Sequence, residues 1–146
     1  MVEASSTCIL LISSYTAGFN DLNFILIVEI SGNIPIKNFD HFLDLGQDQD
    51  QRRARDMLTS KGIVFEEIDG ALEENKVRRN ELFECSGARG KYPQIFINNS
   101  DGTLRFVGMW DQLETLNDLS QLPPETLAQN PDIETFEQVF GDVARR

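Results

Sequence analysis

Lys91-Tyr92-Pro93-Gln94-Ile95-Phe96-Ile97 leads through Asn99-Ser100-Asp101-Gly102 into Thr103-Leu104-Arg105-Phe106-Val107, so that two apolar runs are joined by a turn. Asp-Gly between apolar runs is a strong short-range hairpin signal. Pro93 has no N–H to give to a sheet ladder and therefore belongs at the first position of its strand. A proline at the mouth of a central strand often borders a ligand.

Downstream, Asp111-Gln112-Leu113-Glu114 has the pattern of a capping box, with Asp111 as N-cap and Glu114 three residues on; Leu113 and Leu116 then face the sheet. Residues 121–129, which include Pro123-Pro124, read as a connector. Asn130-Pro131 opens a last helix over about residues 131–141, in which Ile133, Phe136, Val139 and Phe140 recur at helical spacing and should dock on the domain.

Upstream, residues 73–85 are rich in charge, and only Val77, Leu82 and Phe83 are left to pack, which predicts a surface helix ending near Ser86-Gly87. Residues 63–68 (IVFEEI) read as a strand. Residues 51–61 form an amphipathic helix through Ala54, Met57 and Leu58, stopped by Lys61-Gly62, whereas residues 39–50 are irregular and end in a Gln/Asp tract. Residues 7–14 (TCILLISS) and 23–30 (NFILIVEI) both read as buried strands, so there are two candidates for one central first strand.

A chain of 146 residues is long enough for one self-supporting domain, and 40% hydrophobic residues with ten Phe make it globular. A formal charge of -11 repels phosphates, so neither nucleic acid nor an anionic membrane is the expected partner. The first 18 residues carry Glu3, no basic n-region and a short apolar run at 9–12, unlike a signal peptide. The longest apolar run, 24–28, falls far short of the roughly 18 residues that a membrane helix needs. A soluble, cytoplasmic protein is expected. Cys8 and Cys85 make neither a disulfide framework nor a metal site, and His41, the only histidine, reads as solvated, so no metal and no catalytic set is expected.

The Pro-Gln-Ile-Phe-Ile segment at 93–97 is similar to one in glutaredoxins and in the SH3-domain-binding glutamic-acid-rich protein family. Ser60-Lys61-Gly62-Ile63-Val64-Phe65-Glu66-Glu67-Ile68-Asp69 resembles the glutaredoxin passage from first helix to second strand, and Arg79-Asn80-Glu81-Leu82-Phe83-Glu84-Cys85-Ser86-Gly87 resembles the second helix. Phe106-Val107-Gly108-Met109-Trp110-Asp111-Gln112-Leu113 is similar to the segment that caps bound glutathione, with Gly108-Met109 where the family has two glycines. The resemblance implies an α/β, thioredoxin-like (glutaredoxin-like) four-stranded mixed sheet flanked by helices, and a cis bond before Pro93. Because 51–61 already supplies the first helix at family spacing, we expect 7–14 to be the central strand and about 19–46 to be an insertion. The rival places 23–30 at the centre, with Ser31-Gly32-Asn33 in place of the thiol loop.

No Cys-x-x-Cys or Cys-x-x-Ser occurs. Cys8 sits inside an apolar strand and Cys85 at a helix end, where the dipole disfavours a thiolate, so both read as structural. Loss of the thiols is a trait of the SH3-domain-binding glutamic-acid-rich family. The prolines at 35, 93, 123, 124 and 131 never stand three apart, so no P-x-x-P ligand for an SH3 domain is present. The expected function is that of a redox-inactive binding or adaptor module for a protein partner. Its groove would be formed by Tyr92, Pro93, Gly108, Trp110 and Asp111, with Arg89 and Lys91 nearby, no cofactor, and at most weak glutathione binding. The alternative is a glutathione-dependent oxidoreductase or transferase that activates the thiol of glutathione with hydroxyls such as Ser14 or Thr16.

Overall fold

A strand whose residues are apolar without interruption must be covered on both faces, and β1 (Thr7–Ile12) is: Cys8, Ile9, Leu10 and Leu11 have no exposed surface. The computed structural model describes residues 6–14 and 39–146, the latter as backbone only up to residue 46. The segment 23–30, the expected insertion up to residue 38, and Thr16 lie outside the described residues. Within them, β1 pairs in parallel with β2 (Phe65–Asp69) and antiparallel with β3 (Gln94–Asn98), which pairs antiparallel with β4 (Leu104–Gly108). The result is a four-stranded mixed sheet in the order β2-β1-β3-β4, with residues 8–11 of β1 paired on both sides.

Alternation along β1 divides the core into two layers. Cys8, Leu10 and Ile12 pack with Ala54, Leu58, Trp110, Leu113, Phe136 and Phe140. Ile9 and Leu11 pack on the opposite face with Ile68, Leu82, Phe83 and Phe96. Ala54 and Leu58 come from α1 (Phe39–Ser60), which corrects the expectation that 39–50 is irregular. That tract has no apolar stripe, but Asp48 meets Arg52 at 2.9 Å and Asp50 meets Arg53 at 3.4 Å, pairings that support a helix locally. The helix stops as expected at Gly62, which takes φ 72°.

A 3-10 turn (Glu73–Asn75) precedes α2 (Lys76–Ser86), which ends at Gly87 with the Gly87 N–H donating to the Phe83 carbonyl. Leu82 and Phe83 are buried, but Val77 is 72% exposed and does not pack as expected. The β3–β4 turn is the one that Asp101-Gly102 predicts: the Asn99 N–H donates to the Thr103 carbonyl at 2.8 Å, and the Asp101 carboxylate accepts from the Thr103 N–H at 2.9 Å. Pro93 lies immediately before β3, and the Tyr92–Pro93 bond is cis, as the resemblance implies.

Three corrections concern the C-terminal third. α3 (Trp110–Leu119) has Met109, not Asp111, at its N-cap and no side-chain cap; Trp110 and Leu113, three apart, both turn into the core, and that requires Trp110 inside the first turn. Residues 121–129 are not a plain connector, because α4 (Pro124–Gln129) begins at a proline that lacks only an N–H the first turn leaves unpaired. The helix expected over 131–141 is only α5 (Phe136–Val139), where Thr135 and Gln138 form a reciprocal capping box that outcompetes Pro131 as a start. Docking is nonetheless achieved: Phe136, Val139 and Phe140 are buried, Ile133 is half-buried, and the Phe136 N–H donates to Ser120 Oγ at 2.8 Å. Beyond α5 the chain returns to the sheet, with the Ala144 N–H donating to the Ser6 carbonyl at 3.1 Å and the Val64 N–H to the Ala144 carbonyl at 2.9 Å.

Candidate functional site: the mouth at Pro93

Open α/β sheets bind ligands outside the carboxyl ends of their parallel strands. At that end of this sheet, Ser13-Ser14 leaves β1, Asp69-Gly70 closes β2 and Tyr92-Pro93 enters β3, Gln94 lying opposite Leu11. Gln51 of α1 fastens the first of these: its side-chain oxygen accepts from the Ser13 N–H at 2.8 Å, and its amide group donates to the Ser13 carbonyl at 3.4 Å. Asp69 fastens the second by accepting from the Ser14 N–H at 2.9 Å and the Ala71 N–H at 3.0 Å. Burial raises the Asp69 pKa, but the hydroxyl and N–H of Ser14 and the N–H of Ala71 hold the carboxyl below its usual range.

Arg79 of α2 forms the far wall. Its guanidinium donates to the Gly70 carbonyl at 3.0 Å and lies 5.8 Å from the Phe83 ring, which Arg89 approaches at the same distance. Tyr92 is half-buried against that ring, with centroids 6.0 Å apart. Burial pushes the Tyr92 phenol up; the charge of Arg79 opposes this and that of Asp69 adds to it. Together with exposed Arg89 and Lys91, Arg79 gives the mouth a cationic rim on a chain of net charge -11.

The five residues expected to form a groove are disposed unequally. Gly108 lies opposite Ile95, so the end of β4 and the first turn of α3 share the Pro93 end of the sheet. Tyr92 is half-buried and Asp111 exposed, but Pro93 and Gly108 are buried. Trp110, 9% exposed, turns its side chain into the core layer beneath α1, whereas Tyr92 packs in the other layer. The Trp110 ring therefore does not stand beside Tyr92. Gly108 itself is obligatory, because at φ 147° a Cβ would run into the Gln112 side chain.

Sequence reasoning passed over Gln51, Asp69 and Arg79. The one available signal was Gln51, which shares the apolar stripe of Ala54 and Leu58 at helical spacing; a lone polar group on such a face is either paired or functional.

Neither thiol belongs to this mouth. Cys8 lies opposite Ile97 and Cys85 Sγ donates to the Leu104 carbonyl at 3.7 Å, both at the far end of the sheet, and Cys8 is about 13 Å from Ile12 by strand rise. Burial pushes the Cys8 pKa up to about 12. Cys85 is exposed, whereas Cys8 is buried. Ser14 is a poor activator of a bound thiol, since its hydroxyl already donates to a carboxylate too acidic to serve as a strong base. Among the described residues no group of His, Cys, Asp and Glu is arranged to hold a metal, and no helix is long and apolar enough to cross a membrane. The fold and site define an α/β domain with a cation-rimmed mouth at the ends of its central strands. No known family, no curated protein and no solved structure matches the chain.

Proposed function

We propose that this chain is a thioredoxin-like, more closely glutaredoxin-like, module of the SH3-domain-binding glutamic-acid-rich kind, which binds a protein partner in the cytoplasm without redox chemistry. Its ligand is an extended peptide segment laid along the Tyr92 backbone at the entry to β3. The observation that carries the reading is the distance between mouth and thiols: the chain has only two cysteines, and both sit at the opposite end of the sheet from Pro93. The sheet order, with one parallel and two antiparallel pairs, and the cis bond before Pro93 support the fold half of the proposal. The rim of Arg79, Arg89 and Lys91 favours peptides with acidic side chains or a free carboxylate.

Selection from a displayed library of random heptapeptides tests it. Enriched peptides should be acidic, should shift backbone resonances of Tyr92 and Ser14 on titration, and should bind at least tenfold more weakly to Arg79→Ala. Enrichment of neutral or basic peptides, or shifts that avoid this mouth, would refute the proposal. So would catalysed reduction of a glutathione mixed disulfide.

A further inference from the structure

The two outer strands of the sheet are not alike. β2 is guarded by charge, through Glu66 and Glu67, which Arg78 of α2 and Arg55 of α1 meet at 3.9 and 2.6 Å. β4 carries one charged side chain, Arg105, which Glu134 holds at 2.9 Å. The Asn99 N–H donates to the Thr103 carbonyl, so Thr103 and Arg105 face β3, while Leu104 and Phe106 turn their N–H and carbonyl groups outward. Among the described residues only the Cys85 thiol reaches any of these groups, donating to the Leu104 carbonyl at 3.7 Å. Both N–H groups and the Phe106 carbonyl are therefore open to another strand.

Side chains of an added strand would alternate between the two faces of the sheet. On the α3 face lies a recess of about 330 Å³, lined by Val107, Leu116, Leu119, Ile133, Asp132 and Glu134, among others, and its aliphatic groups suit an apolar side chain. On the α2 face, Glu81 stands one turn before Cys85 and Glu84 beside it, and all three are exposed. Glu81, Glu84 and Asp132 have no ion pair among the described residues, and Arg105 is already matched by Glu134. The edge is thus acidic on both faces. A second copy of a chain of charge -11 would bring like charge against it, so the complementary occupant is basic.

We infer that β4 is an addition edge for an extended segment of a partner protein in which apolar residues alternate with lysine or arginine. The segment bonds to the backbone of Leu104 and Phe106, its apolar side chains enter the recess beside Val107 and Ile133, and its cations meet Glu81 and Glu84 on the other face. This edge selects basic segments, whereas the Pro93 mouth is proposed to select acidic ones, so either proposal can fail without the other.

The probe is the peptide acetyl-KVKVKVK-amide, added to the full chain and followed by two-dimensional NMR with amide hydrogen exchange. It is compared with acetyl-EVEVEVE-amide, which reverses the charge, and with acetyl-KKKKVVV-amide, which keeps the composition and loses the alternation. The alternating basic peptide should shift the Leu104 and Phe106 amide signals with submillimolar affinity and slow their exchange at least tenfold, leaving Tyr92 and Ser14 unmoved. Each comparison peptide should bind at least fivefold more weakly. The exposed pair Glu81→Gln and Glu84→Gln together should weaken the alternating basic peptide about fivefold, with the remainder of the spectrum reporting an intact fold. Equal binding of the alternating and block peptides, which is attraction by charge alone, shifts that map away from β4, or no shift at millimolar peptide would overturn the inference. So would Leu104 and Phe106 amides that are already protected in a self-associated free protein, since the occupant would then be a second copy.

Discussion

Asp69 closes β2 by accepting two backbone N–H groups, one from the residue that leaves β1 and one from its own turn. Removing it at neutral pH leaves both donors without a protein partner. Asp69→Ala should therefore cost about 1.5 kcal/mol, the low end for hydrogen bonds to a charged group because the site is partly exposed. The sign of the pH dependence follows from a folded-state pKa below the unfolded value of 3.8. Stability from the carboxylate is present above pH 3.8 and is lost as the pH falls through the lower folded value. Urea denaturation should show the gap between wild type and variant closing on acidification; a gap that widens contradicts the assignment. Gly108 makes a sharper case. A side chain there is strained at φ 147° and also meets Gln112 at its Cβ, so Gly108→Ala should destabilise by about 1–3 kcal/mol. Gln112→Ala should be harmless alone and should not rescue Gly108→Ala, since alanine keeps the Cβ.

At the scale of elements, α5 is only four residues long but holds the domain closed, because Phe136 and Phe140 stack with centroids 4.4 Å apart and are both fully buried. Phe140→Ala should cost about 3–5 kcal/mol in thermal or urea unfolding, and Thr135→Ala about 1 kcal/mol through the lost cap. An unchanged melting curve for Phe140→Ala would mean that this segment does not dock in solution. The apolar spacing of Phe136, Val139 and Phe140 made docking legible in the sequence, but not the length of the helix, since Thr135 and Gln138 cap it from a position that periodicity does not weigh. β3 and β4 were legible for a simpler reason, since two short apolar runs joined by Asn-Ser-Asp-Gly read as a hairpin, whereas β1 had an apolar rival in residues 23–30. The first half of α1 was not, because a tract of Asp and Gln gains its helical support from charge pairs and not from a buried stripe. Of the mouth, Tyr92 and Pro93 could be found because proline marks a strand entry. Asp69, Gln51 and Arg79 reach the mouth from separate elements, and only the fold brings them together.

Taken whole, the molecule separates its thiols from its mouth, and that separation decides how it should behave toward glutathione. Under the proposed function, the backbone of Tyr92 would receive an extended peptide, and Arg79, Arg89 and Lys91 would attract its carboxylates. Against tight binding, no cysteine stands at the mouth to form a mixed disulfide, and the N-terminus of α3 carries exposed Asp111 in its first turn, which repels the γ-glutamyl carboxylate. The dissociation constant should be about 1 mM or weaker, some -4 kcal/mol, by calorimetry. Thiol labelling completes the test. The exposed Cys85 should react with an aromatic disulfide in the native state, whereas the fully buried Cys8, its pKa raised to about 12, should react only as the chain opens. Two rapid equivalents in native buffer would place Cys8 outside the core. Cys85→Ser should leave glutathione affinity unchanged, because its sulfur lies beside Leu104 at the other end of the sheet. Micromolar affinity for glutathione, or disulfide reduction that disappears with Cys85→Ser, would make the protein an enzyme and set aside the binding module.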